Sequence, residues 1–130
     1  MIVVDASAIL DYVMRTQAAS SIEARLFAHG DSWHAPHLLD AEVVSVLRRH
    51  TLAGALSAGR AEIMLGDFAA LRIDRHSHEP LLERIWRMRN NLSAYDATYV
   101  ALAESLDAPL ITRDRRLANA EGSRARVEVF

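Results

Sequence analysis

With 130 residues, 51% of them hydrophobic and 25% charged, the chain is long enough to bury one core and too apolar to stay disordered. No apolar run approaches the ~20 residues of a membrane-spanning helix, and the lack of cysteine excludes disulfides, zinc–thiolate centres and thiol nucleophiles. The formal charge of −2 is not that of a globally basic nucleic-acid binder, yet all fifteen basic residues are arginine, whose planar fork suits phosphate and carboxylate.

Ile2–Val4 reads as a short buried strand and Ala6–Met14 as the first helix. Ala18–Ala28 carries Ile22, Leu26 and Phe27 at helical spacing, and Gly30 is placed to stop it. "DSWHAP" reads as a second strand closed by Pro36, followed by an amphipathic helix over His37–Ala53. Ser57–Leu71 is a helix weakened by Gly59 and Gly66, and "LRID" is a third strand. His78–Asn90 places Leu81, Leu82, Ile85 and Trp86 on one helical face, and Ser93–Leu106 is the next helix. "APLIT" is a strand, Arg115–Ala120 a short helix and "RVEVF" a closing strand. Short strands alternating with helices, without repeats or linkers, predict one α/β domain over residues 1–130 with a mainly parallel sheet. Met64, Phe68 and Trp86 lie on helices with more apolar surface than one small core uses, which favours assembly.

Four acids stand out. Asp5 follows the first strand, and Asp114 follows the strand around Leu110–Thr112; right-handed crossovers bring such strand ends to one sheet edge. Either acid taken alone reads first as a helix N-cap. Glu42 is four residues from both Leu38 and Val46, so it shares their helix face, where a carboxylate needs a partner or a metal. An arginine salt bridge is the plain alternative, and Asp40 is a rival acid off that face. Asp96, three residues after Ser93, resembles a capping-box acid but also begins the inward row Tyr99, Val100 and Ala103. Thr112 is two residues before Asp114 on the same strand face, and Ser7 adds a hydroxyl near Asp5. Carboxylates without lysine or cysteine suit Mg²⁺ or Mn²⁺, the donor set of a metal-assisted hydrolase.

Taken in order, "IVVDASAIL", "HLLDAEVVSVLRR", "LSAYDATYVALA" and "LITRD" resemble the PIN-domain ribonucleases, and the small size is similar to the VapC-type toxins of bacterial toxin–antitoxin modules. The resemblance spans nearly the whole chain, with Ala53 to Asn90 similar only in helical pattern. It implies a three-layer α/β/α fold and Mg²⁺- or Mn²⁺-dependent cleavage of RNA. Asp5, Glu42, Asp96 and Asp114 match the family's four acidic positions, Thr112 the hydroxyl before the last acid, and Ser7 a small polar position after the first. It also implies a homodimer neutralised by a small antitoxin protein. Arg113, Arg115 and Arg116 flank Asp114 closely enough to meet RNA phosphates, although such a cluster also suits a solvated surface.

Two phosphoryl-transfer classes fit poorly. Aspartate-nucleophile phosphatases and phospho-receiver domains each need a lysine, and Ser7 stands where the phosphatase has a second acid. A PIN-like module that binds metal or a partner without cutting RNA is the remaining alternative. The lack of a leader or cysteine points to the cytoplasm.

Overall fold

The computed structural model describes residues 1–130. The chain opens with β1 (Ile2–Val4) and α1 (Ala6–Val13), then α2 (Ala19–Phe27), β2 (Trp33–Pro36), α3 (Leu38–Leu52) and α4 (Ala58–Ala70). β3 (Ile73–His76), α5 (Leu82–Arg87), α6 (Ala94–Leu106), β4 (Leu110–Thr112), α7 (Arg115–Ala118) and β5 (Val127–Val129) complete it. All strand pairings are parallel, in the order β3-β2-β1-β4-β5. From β1 the chain builds outward to β2 and β3, then returns to add β4 and β5 on the other side. The order therefore reverses between β1 and β4, the place where open parallel sheets form a crevice at their carboxyl ends.

Alternation along the strands separates two cores. Ile2 and Val4 of β1 and Ile111 of β4 face a core formed with α1 to α4, including Ile9, Ile22, Leu39, Val43 and Phe68. Val3 and Leu110 face the opposite core, where α6 supplies Tyr99 to Ala103 and Leu117 and Met88 close the ends. Helices thus cover both faces of the sheet, giving the expected α/β/α layers. No helix is long and apolar enough to cross a membrane.

Three local expectations change. The third strand begins at Ile73, because Leu71 ends α4 in an extended conformation. The helix expected over His78–Asn90 divides into a 3-10 turn at Glu79–Leu81, containing Pro80, and the six residues of α5. Its presumed common face is lost: Leu81 and Met88 are buried, whereas Leu82 and Trp86 face solvent. Met64 and Phe68 are consumed by the core, so of the three residues offered for assembly only Trp86 remains exposed.

On α3 the deepest stripe is Leu39, Val43 and Leu47. Leu38, Glu42 and Val46 run beside it, half-buried. That one-residue offset aims Glu42 at the crevice above β1 and β4 rather than into the core.

Candidate active site

Asp5 is both a cap and a wall of the crevice. Its Oδ1 accepts the Ala8 N–H at 3.0 Å, closing the first turn of α1, and the Ser7 hydroxyl at 2.7 Å. Its Oδ2 accepts the Thr112 hydroxyl at 2.5 Å. Only 6% of the residue is exposed. Burial pushes its carboxyl above the usual range, with the bonds from Thr112, Ser7 and Ala8 opposing.

The same hydroxyls fasten β4 to α1. Ser7 Oγ accepts the Arg113 N–H at 2.9 Å, and Thr112 Oγ1 accepts the Asp114 N–H at 2.9 Å. Asp114 then caps α7 by accepting the Arg116 N–H at 2.9 Å. The Arg116 guanidinium also grips both Asp114 carboxylate oxygens, which holds that carboxyl below its usual range.

Glu42 has no arginine partner. Its Oε2 accepts the Tyr99 hydroxyl at 2.5 Å, and Oε1 accepts no hydrogen bond. Burial raises its pKa, the Tyr99 bond opposes this, and the charges of Asp5 and Asp96 add to the rise. Burial, together with the same pairing, keeps Tyr99 protonated. At the start of α6, Ser93 Oγ accepts the Asp96 N–H at 3.1 Å. The reciprocal bond of a capping box is missing, and the Asp96 carboxylate turns to the crevice, 3.7 Å from Arg116 Nη2.

Asp5, Glu42, Asp96 and Asp114 thus line one open cavity of about 370 Å³, with Ser7, Ser45, Arg49 and Tyr99 among its other walls. Thr112 stands behind Asp5, fully buried. Of the three arginines expected near the site, Arg113 pairs with Asp11 at 2.9 Å, Arg116 is held by Asp114, and Arg115 is exposed outside the cavity. Asp40 is spent on Arg75 at 2.9 Å, away from the crevice. Tyr99 and Arg49 were not among the expected site residues, though spacing marks them. Tyr99 follows Asp96 by three positions, and Arg49 follows Glu42 by seven, two turns along one face.

The polar groups bordering the cavity, apart from Arg49, are carboxylates and hydroxyls, the chemistry a hard divalent ion selects. No three acidic or histidine side chains stand close enough to form a ready-made cage. Magnesium takes one or two carboxylates and keeps several waters. Glu42 Oε1 and the Asp96 carboxylate accept no hydrogen bond and are available to it. The residues present therefore fit such an ion.

A doubly covered parallel sheet with four carboxylates at its order-reversal point defines an α/β protein with an acidic, oxygen-donor pocket. The chain belongs to the PIN-domain family, whose model, described as "PIN domain", matches residues 2–123. It is 45% identical over 121 residues to Ribonuclease VapC1 of Mycobacterium tuberculosis, covering 92% of this chain and 90% of that protein. Ribonuclease VapC12 of the same organism is 35% identical over 129 residues, covering 99% and 98%. Among solved structures, the sarcin–ricin-loop-cleaving toxin VapC20 of M. tuberculosis shares the fold with a TM-score of 0.71 at 16% identity, covering 97% of this chain and 99% of that one. A toxin–antitoxin complex from Klebsiella pneumoniae gives a TM-score of 0.64 at 16% identity, covering 99% and 97%.

Proposed function

We propose that this chain is an Mg²⁺- or Mn²⁺-dependent endoribonuclease and acts as the toxin of a toxin–antitoxin pair. The observation that carries the reading is the meeting of four acids from four separate segments at the switch point of the sheet. The ribonuclease names of relatives covering nine-tenths of the chain support it.

Asp5, Glu42, Asp96 and Asp114 would hold the ion. When bound, it supplies an acidified water and stabilises charge on the attacking and leaving oxygens of the phosphodiester. The chain's own groups divide the remaining work. Thr112 and Ser7 fix Asp5 in one rotamer through bonds to its two oxygens. Tyr99 fixes Glu42 through Oε2, leaving Oε1 to orient a water or take its proton. A carboxylate whose pKa is raised by burial is a stronger base than an ordinary one. Water attacks directly, and no covalent enzyme intermediate forms.

The partners in this reading are RNA, a second copy of the chain and a small antitoxin whose tail occupies the acidic groove, all in the cytoplasm. Solved neighbours that are toxin–antitoxin complexes support the antitoxin. Exposed Val44, Leu52 and Ile63 on α3 and α4 provide apolar surface for assembly. Incubating the purified protein with structured RNA in Mn²⁺ and in chelator tests the activity. Metal-dependent fragments, lost in Asp5→Asn, support it; RNA left intact in both conditions leaves only a PIN-like binding module. Light scattering that finds monomer at every concentration removes the dimer.

A further inference from the structure

An acidic pocket repels its own polyanionic substrate, so a ribonuclease of this design needs a cation that is not already neutralised. Arg116 is bound to Asp114 and lies near Asp96, and Arg113 is bound to Asp11. Arg49 differs from both. It lines the cavity on the α3 face that carries Glu42 and Ser45, yet its guanidinium makes no hydrogen bond or ion pair. An arginine left unpaired on the wall of a cavity with four carboxylates has all five donors available.

We propose that Arg49 is the phosphate anchor of the site, gripping a backbone phosphate of single-stranded RNA beside the bond that is cut. The inference rests on the ribonuclease reading for the cut, but the contact itself is independent of it. A guanidinium matches two phosphate oxygens with parallel N–H bonds, which fixes the register of the strand without reading its bases. Two turns of α3 separate Arg49 from Glu42, about 10 Å along the helix axis. That span places the anchored phosphate a nucleotide or two from the carboxylates. Ser45, between them on the same face, offers a hydroxyl to the intervening backbone.

The test uses the full chain and a 5′-fluorescent hairpin RNA with a single-stranded loop. Binding is followed by anisotropy in chelator over a series of salt concentrations, and cleavage of the same RNA in Mn²⁺. Arg49→Gln is expected to weaken binding about tenfold and to reduce the slope of log affinity against log salt by about 0.7, the loss of one phosphate contact on a single strand. In cleavage, KM should rise with kcat little changed. Arg49→Lys should restore the salt slope but not the whole affinity, because the charge returns without the fork. Equal affinity and slope in wild type and Arg49→Gln overturn the anchor, whatever the cleavage result. A changed slope in a protein that cuts no RNA keeps the anchor and removes the nuclease.

Discussion

Replacing Asp5 by asparagine should separate what the carboxylate does for the fold from what it does for the site. Asparagine also caps helices, so its Oδ1 can keep the Ala8 N–H and Ser7 bonds. At Oδ2 an amide group replaces the acceptor of Thr112; Thr112 Oγ1 has a lone pair for that amide and can turn its proton toward Ser7, 3.5 Å away. The rearrangement costs about 1 kcal/mol. Against it stands the removal of a charge from a site that is 6% exposed. Asp5 holds its proton to higher pH in the folded protein than in the unfolded one. Its stabilising contribution is thus complete below its ordinary value of 3.8 and is lost as pH rises through the folded value. Each unit of that rise is worth about 1.4 kcal/mol. The net expectation near pH 7.5 in chelator is a melting temperature above that of wild type. The gain should shrink as pH falls and give way, near pH 4, to the cost of the rearranged bonds. Metal at ~100 times its dissociation constant should raise the wild type by about 2.7 kcal/mol and reverse the order. Thermal scans of both proteins across pH, with chelator and with Mn²⁺, provide the assay. An Asp5→Asn protein that melts at or below wild type at pH 7.5 without metal would refute the reasoning, since the hydrogen bonds would then outweigh burial.

Tyr99→Phe removes the donor to Glu42 and should move the acid limb of the pH–rate profile upward, because the bond it loses favours the charged carboxylate; an unmoved limb excludes Glu42 as the titrating group. Asp96→Asn keeps the Ser93 cap on its backbone N–H and should melt near wild type in chelator but respond less to Mn²⁺; an equal response leaves Asp96 as a helix-start residue only. Arg84→Ala strips the two-pronged bond of 2.7 and 2.9 Å from Glu104, whose side chain is 8% exposed, and should cost about 2 kcal/mol by denaturant unfolding with the metal response intact. Burial alone would raise the Glu104 pKa, but its bonds to Arg84 and the Arg124 amide hold it below the usual range, so this loss should fade as pH falls through that depressed value; a pH-independent loss contradicts the pairing.

The parts of the fold fixed by local rules were legible. Three apolar residues before Asp5, the helix beginning at Ser57, the Ser93 cap and the strand before Asp114 all lie where spacing placed them. The misread segment, 78–90, has apolar residues at helical intervals, but Pro80 lies in a 3-10 turn that precedes the short α5. Periodicity could not show that Trp86 faces water, because exposure there depends on what packs against α5. At the site, the acids were legible because each interrupts an apolar pattern. The hydroxyls of Ser7 and Thr112 were legible as well, but the long-range pairings were not, since Tyr99 and Thr112 are joined to Glu42 and Asp5 across 57 and 107 positions of sequence. Composition misled in one respect: arginines next to Asp114 look free in sequence, whereas Arg113 and Arg116 are neutralised by acids close in space.

The four acids therefore do not form one uniform negative surface. Asp5 and Glu42 form an inner pair, where burial, more than mutual repulsion, favours the proton. Asp114 and Asp96 form an outer pair, and Arg116 lies against both of them. The inner pair has no arginine within ion-pair distance, so it alone carries uncompensated demand for a cation when both carboxyls are charged. The outer pair already has a counter-charge, and that counter-charge sits on an exposed, flexible side chain able to swing away. If the site takes a metal as proposed, such an arrangement would keep the folded chain tolerable without it and leave the deep part of the pocket the place with most demand for it. In the proposed reading, a chain of net charge −2 would meet RNA through a local attraction, at the unpaired Arg49 on the cavity wall, and not through the global balance of charge.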